Sequence, residues 1–194
     1  MKKHIWKEEN LNNEHLSWYI LSKKYVEYLQ RFDSLVQNID YGCNEIKPYI
    51  GIVLQINNFD YYVPISSAKE KHYKMKEGKD FIIIKEHSKI LGILNLNNMI
   101  PVLLSEASAL KYNSINNYRK FKDKKERYEY ISLLDKEMKI INARRKEICT
   151  KARKLYDEKN NNPNSRLSKR CCNFKLLEEK SIKYLKTKNC QVKN

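Results

Sequence analysis

The chain has 194 residues, 41% of them hydrophobic, with only four Gly and four Pro; that is enough for one sizeable core and excludes a disordered chain. No apolar run approaches the ~20 residues that span a bilayer, and the opening MKKHIWKEENLNNEHLS lacks the apolar stretch of a secretory signal. Lys and Arg number 39 against 23 Asp and Glu, a formal net charge of +16, which favours a polyanionic partner.

Residues 1–17 are polar and read as an extension. Residues 18–194 read as a single domain, with a sheet core over about 18–104 and a helical part over about 105–194. Trp18 to Leu21 is a short apolar strand. Ser22 then caps a helix from Lys23 to about Phe32, with Tyr25, Leu29 and Phe32 at helical spacing. Asn38 to Glu45 is a loop holding Tyr41, Gly42 and Cys43. Tyr49 to Ile56 and Tyr61 to Ile65 form a hairpin across Asn57-Asn58, because Asn tolerates the positive φ of a tight turn. The basic segment from Ser66 to Asp80 is a loop, or a loop with one helical turn. Phe81 to Ile84 is a buried strand, and Ile90 to Leu96 with Met99 to Leu104 is a further strand pair. These strands predict a compact, strongly bent antiparallel sheet or barrel within an α+β fold.

The pattern changes after Pro101. Glu106 to Tyr112 is expected to be helical. From Asn117 to about Glu158, Phe121, Tyr128, Ile131, Leu134, Met138, Ile141, Ile148, Ala152 and Leu155 recur in steps of threes, fours and sevens, so one apolar face packs on the sheet. This span is one long helix or two with a break. Asn160 to Ser165 is a breaker, and Asn173 caps a last helix. Paired acids Glu178-Glu179 on that helix are expected to face solvent.

The charge is lopsided: residues 1–100 carry 14 Lys and Arg against 12 Asp and Glu, whereas residues 101–194 carry 25 against 11. A basic helical half of this kind suits nucleic acid, although membrane surfaces and acidic proteins would satisfy it too. The five cysteines show no C-x-x-C spacing and Cys171-Cys172 are adjacent, so reduced thiols in a cytoplasm are the simplest reading. Phosphate-binding glycine loops, H-E-x-x-H and G-x-S-x-G are all absent, and the histidines show no ligand spacing, so neither a metal nor a cofactor is expected.

The hairpin carries the candidate chemistry. Lys47 precedes its first strand and Ser66-Ser67-Ala68-Lys69 ends its second. An antiparallel pair brings those ends together. RNA cleavage without a metal needs a ribose 2′-hydroxyl aligned on phosphorus, proton transfer at two oxygens, and stabilised negative charge. Lysines supply fixed charge and, when their pKa is depressed, can move protons; serine hydroxyls can donate to phosphate oxygens. Lys47, Ser66, Ser67 and Lys69 could meet those needs. The same residue types also fit a helix cap and solvated lysines. Tyr41 and His72 are secondary candidates for catalysis or RNA contact. Lys71, Tyr73 and Lys74 suit stacking and phosphate contact, and Lys120, Lys124, Arg144 and Arg145 lie on the basic helical face. A non-catalytic basic RNA-binding protein fits this composition as an alternative.

Five blocks now resemble a known family: WYILSKKYVEYL from Trp18, KPYIGIVL from Lys47, YYVPISSAKEKH from Tyr61, LGILNLNNMIPV from Leu91 and CNFKLLEEK from Cys172. In this order they are similar to the ToxN/AbiQ family, the endoribonuclease toxins of type III toxin–antitoxin systems, over about Trp18 to Lys186. The resemblance implies a strongly bent antiparallel sheet with helices around it. It implies metal-independent cleavage of cellular RNA to a 2′,3′-cyclic phosphate and a 5′-hydroxyl, with a role in phage defence. It also implies an RNA antitoxin, cut from tandem repeats and held as a folded pseudoknot, in closed rings alternating protein and RNA. The family's strand-end Thr/Ser-Ser-x-Lys falls on Ser66, Ser67 and Lys69, and its preceding lysine on Lys47. Ser66 stands where some members carry threonine. The family's loop tyrosine falls on Cys43 by spacing, with Tyr41 the nearest tyrosine.

Overall fold

The computed structural model describes residues 15–37 and 46–191. Among these, seven strands form one antiparallel sheet: β1 (Ser17–Leu21), β2 (Tyr49–Ile56), β3 (Phe59–Ser67), β4 (Ile82–Glu86), β5 (Lys89–Leu94), β6 (Ile100–Val102) and β7 (Ala107–Ala109). Their order across the sheet is β4-β5-β3-β2-β1-β7, with β6 added beside β3. The helices are α1 (Lys23–Gln30), α2 (Glu70–Tyr73), α3 (Lys124–Ala143), α4 (Arg145–Asn161) and α5 (Phe174–Gln191). The α+β class and the antiparallel sheet agree with expectation; the sheet stays open and does not close into a barrel.

Strand β3 organises the sheet. On one side it pairs with β2, from Ile56↔Phe59 to Tyr49↔Pro64. The other side is divided: Asp60 to Tyr62 pair with β6, and Ile65 to Ser67 pair with β5. The β2–β3 turn forms as the sequence predicts, with Asn57 at φ 51° and Asn58 at φ 64°, the twist that matches antiparallel strands. The β4–β5 hairpin was not predicted. His87 supplies its positive φ of 52°, and Glu86↔Lys89 closes it.

Helix starts follow side-chain chemistry. The Ser22 hydroxyl accepts from the Tyr25 N–H at 3.4 Å, Asp123 accepts from the Glu126 N–H at 2.8 Å, and Asn173 accepts from the Leu176 N–H at 3.2 Å. Each satisfies a donor that the first helical turn leaves without a partner. The long helical span breaks between α3 and α4 at Arg144, whose φ of −104° and ψ of 12° leave the helical region. Leu134, Ile141, Ile148, Ala152 and Leu155 of these helices are buried against the sheet.

Four expectations are corrected. The strands after Ile90 do not pair with each other: β5 pairs with β4 and β3, and β6 pairs with β3. A 3-10 turn at Leu96–Asn98 separates them. Glu106 to Tyr112 is not a helix, because Ala107–Ala109 extends the sheet along β1 through Tyr19↔Ala109; the sheet therefore runs past residue 104. Tyr128 is 67% exposed and leaves the apolar face. Glu178 is 6% exposed; its carboxylate accepts from Tyr61 Oη at 2.8 Å and Tyr156 Oη at 2.7 Å, and pairs with Lys175 at 3.2 Å. Three partners make that acid's burial tolerable.

Candidate active site

The end of β3 gathers the predicted residues. Lys47 lies two residues before Tyr49, which pairs with Pro64, so it stands at the same end of the sheet as Ser66 and Ser67. Successive side chains of a strand leave opposite faces, so Ser66 and Ser67 enter this end of the sheet from its two sides. Ser66 is half-buried and Ser67 exposed. Asn95 Nδ2 donates to the Ser66 hydroxyl oxygen at 2.7 Å, while the Asn95 N–H donates to Pro64 O at 3.1 Å. Asn95 thus orients Ser66 and leaves the hydroxyl proton to point elsewhere. Sequence reading missed Asn95; the signal was an amide directly after the apolar run of β5.

Two residues past the strand, Lys69 stands just before helix α2 in extended conformation. Its N–H donates to His72 Nδ1 at 2.9 Å, and the His72 N–H donates back to Lys69 O at 2.9 Å. An Nδ1 that accepts must carry its ring proton on Nε2. Burial lowers the His72 pKa, and Lys71 and Lys69 lower it further, so the ring is neutral at pH 7. His72 fixes the backbone that carries Lys69. Burial also lowers the Lys47 pKa, and the charge of Lys69 adds to the effect. The two ammonium groups therefore lie near enough to repel across the strand end.

The remaining candidates divide. Lys71, Tyr73 and Lys74 are exposed on and after α2, and Lys120 and Lys124 are exposed at the entry to α3. Arg144 is engaged within the protein. Its Nη1 donates to Ile83 O at 3.0 Å, its Nη2 to Glu77 at 2.7 Å and its Nε to Glu147 at 2.9 Å. These bonds tie the α3–α4 joint to β4. Arg145 is half-buried, and its Nε finds no partner among the described residues. A cavity of about 670 Å³ beside α2 is lined by His72, Tyr73, Lys76, Glu77, Lys85 and Arg144, among others; it lies next to the strand end. Tyr41 lies outside the described residues. No helix among the described residues is long and apolar enough to cross a membrane.

Residues 17–182 match the family described as Toxin ToxN, type III toxin–antitoxin system. The chain belongs to that family. It is 33% identical over 171 residues to Endoribonuclease ToxN of Pectobacterium atrosepticum, covering 85% of this chain and 91% of that one. It is 29% identical over 184 residues to Endoribonuclease AbiQ of Lactococcus lactis subsp. lactis, covering 91% of this chain and 93% of the relative. Among solved structures, AbiQ, a lactococcal anti-phage endoribonuclease of a type III toxin–antitoxin system, superposes with a TM-score of 0.72 at 28% identity, covering 89% of this chain and 99% of that one. A protein from a bacterial antiviral system regulated by a processed non-coding RNA superposes at 0.70 with 31% identity, covering 85% of this chain and 96% of that one.

Proposed function

We propose that this chain is an endoribonuclease toxin, restrained by an RNA antitoxin and serving in phage defence, and that it cuts RNA without a metal. The ribose 2′-oxygen attacks the adjacent phosphorus, the bond to the 5′-oxygen breaks, and the products are a 2′,3′-cyclic phosphate and a 5′-hydroxyl. One proton leaves the 2′-hydroxyl and one reaches the 5′-oxygen. Ser67 hydrogen-bonds the scissile phosphate, Ser66 assists, and Lys47 and Lys69 neutralise the charge that builds on the phosphorane or carry its protons. The observation that carries this reading is the placement of Lys47, two residues before the Tyr49↔Pro64 pair, at the sheet end where β3 closes on Ser66 and Ser67 and runs into Lys69. Two cations held in repulsion are preorganised for a dianionic transition state, where such fixed charge is worth most. The names and activities of the relatives support the choice of RNA as substrate.

The antitoxin partner is a folded RNA, processed by the toxin from a repeat transcript and held in closed rings with it in the cytoplasm. The exposed lysines of α2 and α3 suit its phosphates. The test of the catalytic reading is Ser67→Ala. Cleavage of total RNA and growth arrest should both vanish while the circular dichroism spectrum stays unchanged; full cleavage by this variant would remove Ser67 from the mechanism. Cleavage by the wild-type chain should persist in excess EDTA. Loss of cleavage there with recovery on adding magnesium would overturn the metal-free route.

A further inference from the structure

One acid close to this site is used neither by the fold nor by the mechanism above. Glu137 sits on the inward stripe of α3 between Leu134 and Ile141 and is 4% exposed. Among the described residues, no hydrogen bond or ion pair reaches its carboxyl. Its neighbour Lys136 turns away to Glu86 at 2.8 Å.

Its position is fixed by a glycine. A Cβ on Gly92 would stand 2.6 Å from Glu137 Oε1 and 2.9 Å from Ile65 Cδ1. The carboxyl therefore fills the space that a side chain at residue 92 would take. Gly92 is the direct antiparallel partner of Ser67. Directly opposed residues point to one face, with Cβ positions about 4.5–5.5 Å apart. Ile65, two residues before Ser67, shares that face, as its approach to Gly92 confirms. Ser67 and the Glu137 carboxyl thus occupy adjacent places on the helical side of the sheet. Burial raises the Glu137 pKa to about 8, so at neutral pH this acid keeps its proton and can donate. Tyr112, from the turn before α3, is a titratable group close enough to feel its charge; that phenol is itself pushed up by burial and by Asp135, and stays neutral.

We propose that Glu137 is a positioning residue for the candidate active site: its carboxyl donates a hydrogen bond to the Ser67 hydroxyl oxygen when RNA is seated, which aims the Ser67 proton at a phosphate oxygen. The proposal rests on Ser67 being the working hydroxyl. Asn95 does the same for Ser66 from the opposite face, so each serine has its own orienting donor.

The test compares Glu137→Leu, Glu137→Gln and Ser67→Ala with the wild-type chain in single-turnover cleavage of an RNA that the wild type cuts, from pH 6 to 9.5, with thermal melts as the control for folding. Glu137→Leu should fold and lose about 10- to 100-fold in rate, the scale of one positioned donor. Glu137→Gln keeps a donor, so it should retain most of the rate at pH 7. It should also lack the decline near pH 8 that ionisation of the acid produces in the wild type. Wild-type rates in Glu137→Leu, or an alkaline decline at the same pH in Glu137→Gln, would overturn the assignment. Should the leucine variant not fold, the glutamine profile decides alone. Undiminished cleavage by Ser67→Ala would instead remove the Ser67 reading itself. Loss of cleavage in Ser67→Ala with unchanged Glu137 variants rejects only the role of Glu137.

Discussion

Lys47 and Glu137 are both displaced from their ordinary ionisation, in ways that can be measured separately. Burial and the Lys69 charge both lower the pKa of Lys47. Lys69→Met removes the second cause, so the Lys47 pKa should rise in that variant, as followed by NMR titration of labelled lysines; an unmoved value would mean that the amines do not share a site. For Glu137 the displacement is upward, from an ordinary 4.5 to about 8. The folded chain holds this proton more tightly, so the group's stabilising contribution is complete below pH 4.5 and is lost as pH climbs to about 8. Above that pH the buried charge costs a few kcal/mol, at about 1.4 kcal/mol per pH unit. Glu137→Leu should therefore melt higher than the wild type at pH 8.5, with the advantage narrowing toward pH 5. At this scale the sequence was informative about residue type and poor about partners. Lys47, Ser66, Ser67 and Lys69 were legible from their places at strand ends. Glu137 had a visible signal, an acid on an apolar helical stripe, but its meaning needed Gly92, which is 45 positions away. Glu178 looked solvated for the same reason: Tyr61 and Tyr156, which bury it, come from other elements.

Elements whose chemistry is local were readable in advance. The Asn57-Asn58 turn needs only two residues that accept positive φ, and Ser22 and Asn173 need only a donor three positions on. Asn173→Ala should cost about 1 kcal/mol and lower the melting temperature by roughly 2–4 °C for a chain of this size; no change would show that the α5 start is held by packing instead. Elements defined by distant partners were not readable. Apolar runs at Ile90–Leu96 and Met99–Leu104 show that strands exist but not which strand each joins. The segment from Glu106 to Tyr112 carries helix-forming residues, yet the free edge of β1 draws Ala107–Ala109 into the sheet, a tertiary preference that overrides a local one. The break at Arg144 has no Gly or Pro to announce it. It is held by Glu77, Glu147 and the Ile83 carbonyl.

Across the whole molecule, charge and rigidity set behaviour. The net charge of +16 is concentrated after residue 100, so binding of the RNA antitoxin should weaken steeply with salt, because added salt opposes the release of counterions. Replacing Lys120 and Lys124 by Glu should flatten a plot of log Kd against log salt by about one for each phosphate no longer neutralised, and an unchanged slope would place the RNA on another face. The strand that bears Ser66 and Ser67 has neighbours on both edges, β2 along one and β6 then β5 along the other. Amides shielded on two sides exchange only through large-scale opening, so Tyr61, which pairs with Leu54 of β2 and Pro101 of β6, should rank among the slowest to take up deuterium. A strand clamped along both edges cannot be switched off by bending. Control of the site proposed at its end therefore falls to whatever is laid over that end, and the supply of that cover sets how much of the chain is at work.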